Sequence, residues 1–199
     1  MRTDVSTALK GRRLLVAVSG SIAAVKTPLL VSALVKAGAE VRCLVTPSAA
    51  KLVSPLALAT LSRHRCYTED DGWDSSCSRP LHIELAEWAE LVLLAPLSAT
   101  TLSRWSQGSA DGLLASVLLA CECPVLAAIA MNTAMWSHPA VQRNWQVVQT
   151  FPGVVPLMPQ PGLLACDRLG DGRMADPMLI ELAASSLFSR GDAGPVANR

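Results

Sequence analysis

The sequence carries little charge and no excess of either sign. Lysine and arginine number 17 and aspartate and glutamate 16, so the net charge is +1, and charged residues make up only 17% of the 199 residues. Proteins that bind nucleic acid through its phosphates usually show a strong or clustered positive charge. We therefore expect no nucleic-acid partner.

Long apolar runs are also absent. Proline, serine or a charged residue interrupts each run well before the roughly 18 to 20 residues that a membrane span needs. Residues 1–10 are polar and lack the apolar stretch and small-residue cleavage site of a secretory signal. We expect no membrane partner and a cytoplasmic location.

The cysteines lack the spacing of a metal site or of a disulfide framework. There are six, at positions 43, 66, 77, 121, 123 and 166. One residue separates Cys121 from Cys123, whereas zinc sites usually use pairs separated by two or more. The sequence therefore predicts no metal and a reducing compartment.

Apolar residues, in contrast, are abundant. They make up 51% of the chain, and the mean hydropathy of +0.35 is high for a protein without a membrane span. Such a composition indicates strands that are buried on both faces, or an apolar surface that other subunits cover.

Short β-prone runs alternate with helical patterns along the chain. Strands are predicted at 14–18, 40–45, 91–95 and 124–129, with a short one at 154–155. Helices are predicted at 22–36, 49–61 with a break at Pro55, 82–90, 102–120, 139–149 and 177–189, and residues 62–80 as a loop. This order predicts an α/β fold with a doubly wound parallel sheet, a Rossmann/flavodoxin-like three-layer sandwich. We expect one domain over 13–190, a flexible segment over 1–12 and a disordered tail over 191–199.

Small and hydroxyl residues follow three of the predicted strands. They are Ser19, Gly20 and Ser21 after the first, Thr46, Pro47 and Ser48 after the second, and Ser98, Ala99, Thr100 and Thr101 after the third. Each turn alone is explained by helix capping, the usual role of Ser and Thr there. Three such turns on one sheet edge favour a phosphate-bearing cofactor. Neither the GxGxxG fingerprint nor a phosphate loop with its lysine is present, so neither NAD nor ATP is favoured.

Two further polar residues lie where a ligand is expected. His82 follows the polar loop, and it is either a solvated histidine or a group that exchanges a proton near neutral pH. Asn132 directly follows a strand, where it is either a turn former or an amide that orients a carboxylate.

A glycine-rich stretch at 162–174, GLLACDRLGDGRM, contains three glycines, four charges and Cys166. Glycine at this density suits a loop whose backbone comes close to a ligand. The alternative is a surface turn with an incidental cysteine.

Four motifs together resemble the flavin-dependent cysteine decarboxylases, and most of all the branch that acts on phosphopantothenoylcysteine. They are GSIA at 20–23, HIEL at 82–85, AMNTAMW at 130–136 and GLLACDRLGDGRM at 162–174. The resemblance spans about residues 13–178. It implies FMN bound at a subunit interface in a homotrimer or homododecamer. It also implies decarboxylation of 4′-phosphopantothenoylcysteine to 4′-phosphopantetheine in coenzyme A biosynthesis.

The resemblance also implies roles for individual residues. The FMN-binding set would be Gly20, Ser21, Ile22, Thr46, Ser48, Ser98, Ala99, Thr100, Thr101 and Ala130, the last reaching the flavin of a neighbouring subunit. The catalytic set would be His82, Asn132 and Cys166. The substrate-binding set would be Asn132, Met135, Ala165, Cys166 and Met174. FMN would oxidise the cysteinyl thiol, CO₂ would leave, the reduced flavin would return the hydride, and Cys166 would supply a proton.

Thr100 and Gly112 stand where the family usually has asparagine, and Ile129 stands where it usually has proline. These departures keep two alternatives open. One is a decarboxylase of a peptide with a C-terminal cysteine, and the other is a catalytically impaired flavin-binding or regulatory homologue.

Overall fold

The computed structural model describes residues 7–76, 78–163 and 169–191. The strands are β1 (Arg13–Val18), β2 (Glu40–Val45), β3 (Cys66–Tyr67), β4 (Leu91–Leu97), β5 (Val125–Ile129), β6 (Val154–Leu157), β7 (Gln160–Leu163) and β8 (Leu169–Arg173). The α-helices are α1 (Thr27–Lys36), α2 (Pro47–Ala50), α3 (Pro55–Ser62), α4 (Leu81–Trp88), α5 (Ala99–Ser106), α6 (Leu113–Ala120), α7 (Thr133–Trp136), α8 (Pro139–Gln149) and α9 (Pro177–Arg190). Two 3₁₀ helices cover Ile22–Lys26 and Glu69–Trp73.

Six strands form one parallel sheet in the order β3-β2-β1-β4-β5-β6. The chain winds outward from β1 in one direction and from β4 in the other, so the sheet is doubly wound and the predicted α/β class is confirmed. Between β1 and β4 the winding direction reverses, and ligands of such sheets bind outside the strand ends at that point.

Helices cover both faces of the sheet, so the domain has three layers, as predicted. Leu14 and Val16 of β1 face a core formed with α1, α3 and α9, whereas Leu15 and Ala17 face a core formed with α4, α5, α6 and α8. Because successive side chains of a strand point to opposite faces, a strand covered on both sides must be apolar throughout. The high apolar content is explained by this double burial.

Two predicted helices are interrupted. The helix expected over 102–120 is divided into α5 and α6, because Gly108 ends the first with φ +67° and extended Gly112 precedes the second. The helix expected over 22–36 begins as the 3₁₀ helix, and α1 starts at Thr27 with Pro28 in its first turn. The break expected at Pro55 is confirmed, since Ser54 caps α3 there.

The segment expected to be a loop over 62–80 contains β3 and the 3₁₀ helix Glu69–Trp73. Within the glycine-rich stretch, β7 and β8 pair as an antiparallel hairpin on either side of residues 164–168. Packed structure also begins before residue 13: residues 7–9 form a helical turn, Leu9 is fully buried, and Gly11 N–H donates to Gly38 O at 2.8 Å. The flexible segment expected over 1–12 is therefore too long. No helix in the described ranges is long and apolar enough to cross a membrane.

Candidate active site

Two serines join the strand ends at the point where the winding of the sheet reverses. The buried Ser19 hydroxyl, just after β1, donates to Pro96 O at 2.7 Å and accepts from the N–H of Ser98 at 2.8 Å, just after β4. Next to them, the Thr27 hydroxyl donates to Ala95 O at 3.1 Å. These bonds hold the ends of β1 and β4 together, so the turns that follow both strands have a fixed geometry. No sequence pattern singled out Ser19 or Thr27 for this role.

The turns after β1 and β2 are in contact. A Cβ on Gly20 would lie 2.5 Å from the Cβ of Ser48, so glycine is required for this approach. Ser21 caps the 3₁₀ helix by accepting from Ala23 N–H. Neither the N–H of Gly20 nor that of Ile22 has a hydrogen-bond partner among the described residues. Two available N–H donors and a hydroxyl beside a helix start suit an anion such as phosphate.

Helix capping, which the sequence offered as the alternative to ligand binding, explains part of the pattern of hydroxyl residues. Thr46 accepts from Ala49 N–H and caps α2, and Ser98 accepts from Thr101 N–H and caps α5. Ser98 and Thr101 are both 6% exposed, and the Ser98 hydroxyl lies 3.3 Å from that of Thr101. Of this turn, half-buried Ala99 and exposed Thr100 are the residues that a ligand can reach.

Asn132 begins the short helix α7 directly after β5. Its Oδ1 accepts from the N–H of Ala134 at 2.8 Å. This bond uses the acceptor end of the amide, so a contact with an anionic ligand would be made by the NH₂ group. Met135, one turn along, is 47% exposed and accessible. Ala130, in contrast, is 1% exposed and its N–H donates to Leu97 O. Its side chain is buried within the chain, and its expected contact with the flavin of a neighbouring subunit stays a prediction.

The hairpin β7–β8 is attached beside Asn132. Met131 N–H donates to Gly172 O at 3.1 Å, and a Cβ on Gly170 would overlap the hydroxyl of Thr133 and lie 3.1 Å from its Cγ2. Glycine at 170 is thus required for the close packing of β8 on α7. Met174 is 1% exposed in the first core, because it lies where β8 joins the body of the domain. Its side chain therefore packs in the core, and the substrate contact expected for it stays a prediction. Ala165 and Cys166 lie outside the described residues.

His82 lies in the first turn of α4 and is half-buried. It lines a cavity of about 400 Å³ with Trp73, Arg79 and Leu113 among its other walls. None of the other predicted site residues in the described part of the chain lines this cavity. Because α4 precedes β4 in a parallel sheet, the helix runs from the carboxyl edge of the sheet back to the start of β4, and its first turn lies near the carboxyl edge. Among the described residues, however, no hydrogen bond or ion pair joins His82 to Asn132 or to the turns.

Glu69 was not singled out by any sequence pattern, yet its carboxylate accepts from the N–H of Leu113 at 2.8 Å. It therefore supplies the cap that Gly112, with no side chain, cannot give to α6. Glu69 also lines the cavity that contains His82. The sequence gives one indirect signal for this role of Glu69: a glycine, which has no side chain to cap a helix, stands at the start of α6.

Two of the described cysteines are poorly suited to nucleophilic chemistry. Burial, together with the nearby Cys66 thiol, raises the pKa of Cys43 well above its usual range. Burial, with the nearby Asp71 carboxylate, raises the pKa of Cys66 to about 12. Both therefore stay protonated near neutral pH. Over the ranges that the structure describes, no three His, Cys, Asp or Glu side chains group as a metal site.

The chain is similar to coenzyme A biosynthesis proteins over nearly its whole length. It is 40% identical over 191 residues to the coenzyme A biosynthesis bifunctional protein CoaBC of Bacillus subtilis (strain 168), and the match covers 96% of this chain and 47% of that protein. The chain thus spans about half the length of the bifunctional relatives that it matches.

Solved structures also match. A cysteine-to-serine mutant of PPC decarboxylase complexed with pantothenoylaminoethenethiol superposes with a TM-score of 0.84 at 34% identity, covering 90% of this chain and all of that one. The FMN binding protein AtHal3 superposes with a TM-score of 0.81 at 35% identity, covering 91% of this chain and 98% of that one. The flavoprotein family model matches residues 2–183. With fold, strand-end turns and sequence in agreement, the chain belongs to the flavoprotein family.

Proposed function

We propose that the protein is an FMN-dependent carboxy-lyase that converts 4′-phosphopantothenoylcysteine to 4′-phosphopantetheine in coenzyme A biosynthesis. The observation that carries the proposal is the pair of strand ends joined by Ser19 and Ser98, with Asn132 at the end of the next strand. An anion cradle and a carboxylate-orienting amide thus lie along the same sheet edge. Similarity to PPC decarboxylase over 90% of the chain supports the choice of substrate. A cytoplasmic location belongs to the proposal.

The turns fit a flavin mononucleotide. Gly20, Ser21 and Ile22 would hold the phosphate, because two of their N–H groups lack a partner among the described residues and Gly20 closes against Ser48. Thr46 would add a hydroxyl. Ala99 and Thr100 would line the flavin, and buried Ser98 and Thr101 would hold their turn in place. The likeness to an FMN binding protein supports the mononucleotide. FMN, when bound, would supply redox chemistry, because a flavin can accept two electrons and return them.

Asn132 would hold the substrate carboxylate. The Ala134 N–H fixes the amide by its oxygen, so the NH₂ group is the end that meets an anion. Met135 would supply apolar contact from the exposed face of α7. Holding thiol and carboxylate in register is the main task of these residues, and such positioning contributes on the order of 7 to 11 kcal/mol to catalysis.

His82 and Cys166 would handle protons. His82 would exchange a proton with the substrate from its cavity, and Cys166, which lies between β7 and β8 in the sequence, would return a proton at the last step. Because His82 lines a cavity that no other predicted site residue in the described ranges lines, we propose that a second copy of the chain completes the site, in a homotrimer or homododecamer. The exposed side chains of Ile22, Val25 and Leu29, adjacent to the phosphate turn, are consistent with a covered surface there.

The proposal is tested by the bound chromophore and by CO₂ release. Protein purified after supply of FMN should be yellow, mass spectrometry of the released chromophore should give FMN, and CO₂ should come from 4′-phosphopantothenoylcysteine. Asn132→Asp should keep the flavin and lose most CO₂ release, because a carboxylate repels the substrate carboxylate.

Colourless protein would refute the proposal outright. CO₂ release from a peptide with a C-terminal cysteine, and not from the phosphorylated substrate, would instead assign the peptide reaction. Flavin binding with no release from either substrate would indicate the impaired homologue suggested by Thr100 and Gly112. Restoring asparagine at position 100 should then raise flavin retention or turnover.

A further inference from the structure

Two cysteines outside the candidate active site lie in direct contact. The Sγ atoms of Cys121 and Cys123 are 3.1 Å apart, and the Cys121 thiol also lies 3.3 Å from Cys123 O. Cys121 ends α6 with an extended backbone, φ −76° and ψ 125°, and Cys123 precedes β5. The chain bends at Cys123, and the two side chains meet where the chain passes from α6 to β5.

We propose that Cys121 and Cys123 form a reversible dithiol–disulfide site that reacts with small-molecule disulfides. A disulfide bond is about 2.05 Å long, so the sulfurs need approach by only about 1 Å more. The two residues lie in a connection rather than inside a strand or helix, so this approach breaks no regular hydrogen-bonding ladder. One intervening residue is the wrong spacing for a usual zinc pair, and no third ligand groups with them in the described ranges.

The two thiols differ in a way that sets their order of reaction. Cys121 is half-buried and can be reached by a small oxidant, whereas Cys123 is 5% exposed. The hydrogen bond between the thiols lowers the pKa of Cys121, with burial acting in the opposite direction. The same hydrogen bond and burial raise the pKa of Cys123. Cys121 is therefore the attacking thiol and Cys123 the resolving one.

The reaction balances with a small-molecule disulfide, RSSR, as oxidant. The Cys121 thiolate attacks one sulfur of RSSR, which forms Cys121–S–SR and releases RS⁻. Cys123 then gives up its proton and attacks the Cys121 sulfur, which breaks the mixed bond and releases a second RS⁻. The two protons from the thiols go to the two RS⁻ groups, so one RSSR is reduced to two RSH as two cysteines become one disulfide.

The site lies at the opposite edge of the sheet from the candidate active site. Cys123 precedes β5 and Asn132 follows it, and a five-residue strand spans about 16 Å. Its chemistry can therefore be measured apart from flavin binding and decarboxylation, and the inference does not depend on the proposed function.

Titration with glutathione disulfide tests the inference on the full chain as purified. Intact-mass and peptide mapping should show the loss of two hydrogens and a Cys121–Cys123 link, reversed by dithiothreitol. Cys123→Ser should stop at one glutathione on Cys121. Cys121→Ser should react at least tenfold more slowly, and Cys66→Ser, the matched control, should behave as the wild type.

Three results would overturn the inference. One is a wild-type chain in which Cys121 and Cys123 stay reduced under glutathione disulfide. Another is a rate for Cys121→Ser equal to that of the wild type. The third is a purified protein whose two thiols hold a stoichiometric soft metal ion, which would make the pair a metal site. The wild-type peptide map decides the first and the native mass of the wild-type protein decides the third, even if a variant fails to fold.

Discussion

The Glu69 carboxylate accepts a 2.8 Å hydrogen bond from the N–H of Leu113 and so caps helix α6 from a segment 44 residues away. A Cβ on Gly112 would lie only 3.1 Å and 3.3 Å from the two carboxylate oxygens. An acid at a helix start satisfies an unpaired N–H and interacts favourably with the helix dipole. Gly112 and Glu69 are therefore a matched pair: the glycine makes room for the acid that does the work of a capping side chain.

Glu69→Ala should destabilise the protein by about 1 to 2 kcal/mol, the usual cost of a lost cap. Gly112→Asn should also destabilise the wild type, because the new side chain meets the Glu69 carboxylate. In the Glu69→Ala background, however, the same asparagine can cap α6 itself and should recover part of the loss. Urea denaturation of the four proteins gives the coupling free energy. Strict additivity would mean that the two positions do not interact.

The parallel sheet could be predicted because most of its strands contain continuous apolar runs. Burial on both faces forces such runs, and β4, β5 and β1 after Arg13 show them, whereas β2 shows a shorter one after Arg42. The turns could be predicted as well, since glycine and hydroxyl residues directly after an apolar strand are typical of a helix start that binds an anion. Thus Gly20 and Ser48 were expected at one edge, and the structure brings them together.

The contacts made over long sequence distances could not be predicted. Strand β3 is two half-buried residues without a periodic pattern, and it exists because β2 offers it a partner. Met174 was assigned to the substrate from the motif around it, but its burial is decided by how β8 joins the core. The capping of Leu113 by Glu69 likewise depends on the tertiary fold, so no local signal marks it.

Ser19→Ala should cost about 1 to 3 kcal/mol of folding free energy, the usual cost of an unpaired buried polar group. The substitution leaves the buried N–H of Ser98 without its partner, whereas Pro96 O keeps the hydrogen bond from the backbone N–H of residue 19 at 3.3 Å. Flavin affinity should fall too, because the ends of β1 and β4 lose the side-chain link between them. Thermal unfolding and FMN titration measure the two effects. Ser186→Ala, which removes an exposed hydroxyl that donates to Leu182 O, is the matched control and should change both little.

Gly170→Ala should lower CO₂ release while leaving FMN binding near the wild-type level. A methyl group there overlaps the Thr133 side chain, so β8 must move away from α7 and from Asn132. A displacement of about 1 Å near a reacting group can cost on the order of 100-fold in rate. Gly72→Ala, whose added methyl makes only ordinary contact with Leu113 at 3.6 Å, is the control. Equal turnover of the two variants would mean that the position of the β7–β8 hairpin does not affect catalysis.

Glu90→Gln should destabilise the protein by about 1 kcal/mol at neutral pH and not at all in acid. Burial disfavours the charged form of Glu90 and so raises its pKa. The hydrogen bonds from the Arg13 N–H at 2.9 Å and from the Arg12 guanidinium at 3.1 Å, with the positive charges of both arginines, outweigh burial, and the pKa of Glu90 lies below the ordinary 4.5. Because the folded-state pKa is the lower one, the charge stabilises the fold above pH 4.5, and this contribution is lost as the pH falls through the folded-state value.

The difference in melting temperature between Glu90→Gln and the wild type should therefore shrink as the pH falls below 4.5, and it should vanish once the carboxyl group is protonated in both the folded and the unfolded state. Glu87→Gln provides the comparison, since its ion pair with Arg79 is exposed on both sides and should contribute little at any pH. A difference that stays constant into acid would show that the amide, rather than the lost charge, is responsible.

Cys166→Ser should separate the steps of the proposed reaction. Serine is similar in size but is a far weaker acid than cysteine, so flavin binding and CO₂ loss should persist while the final protonation slows. The unsaturated enethiol should then accumulate in place of the saturated aminothiol, which mass spectrometry of the quenched reaction detects. Cys66→Ser is the control, because burial keeps that thiol protonated. Normal yield of the saturated product from Cys166→Ser would remove the thiol from the mechanism and leave the hairpin with a binding role alone.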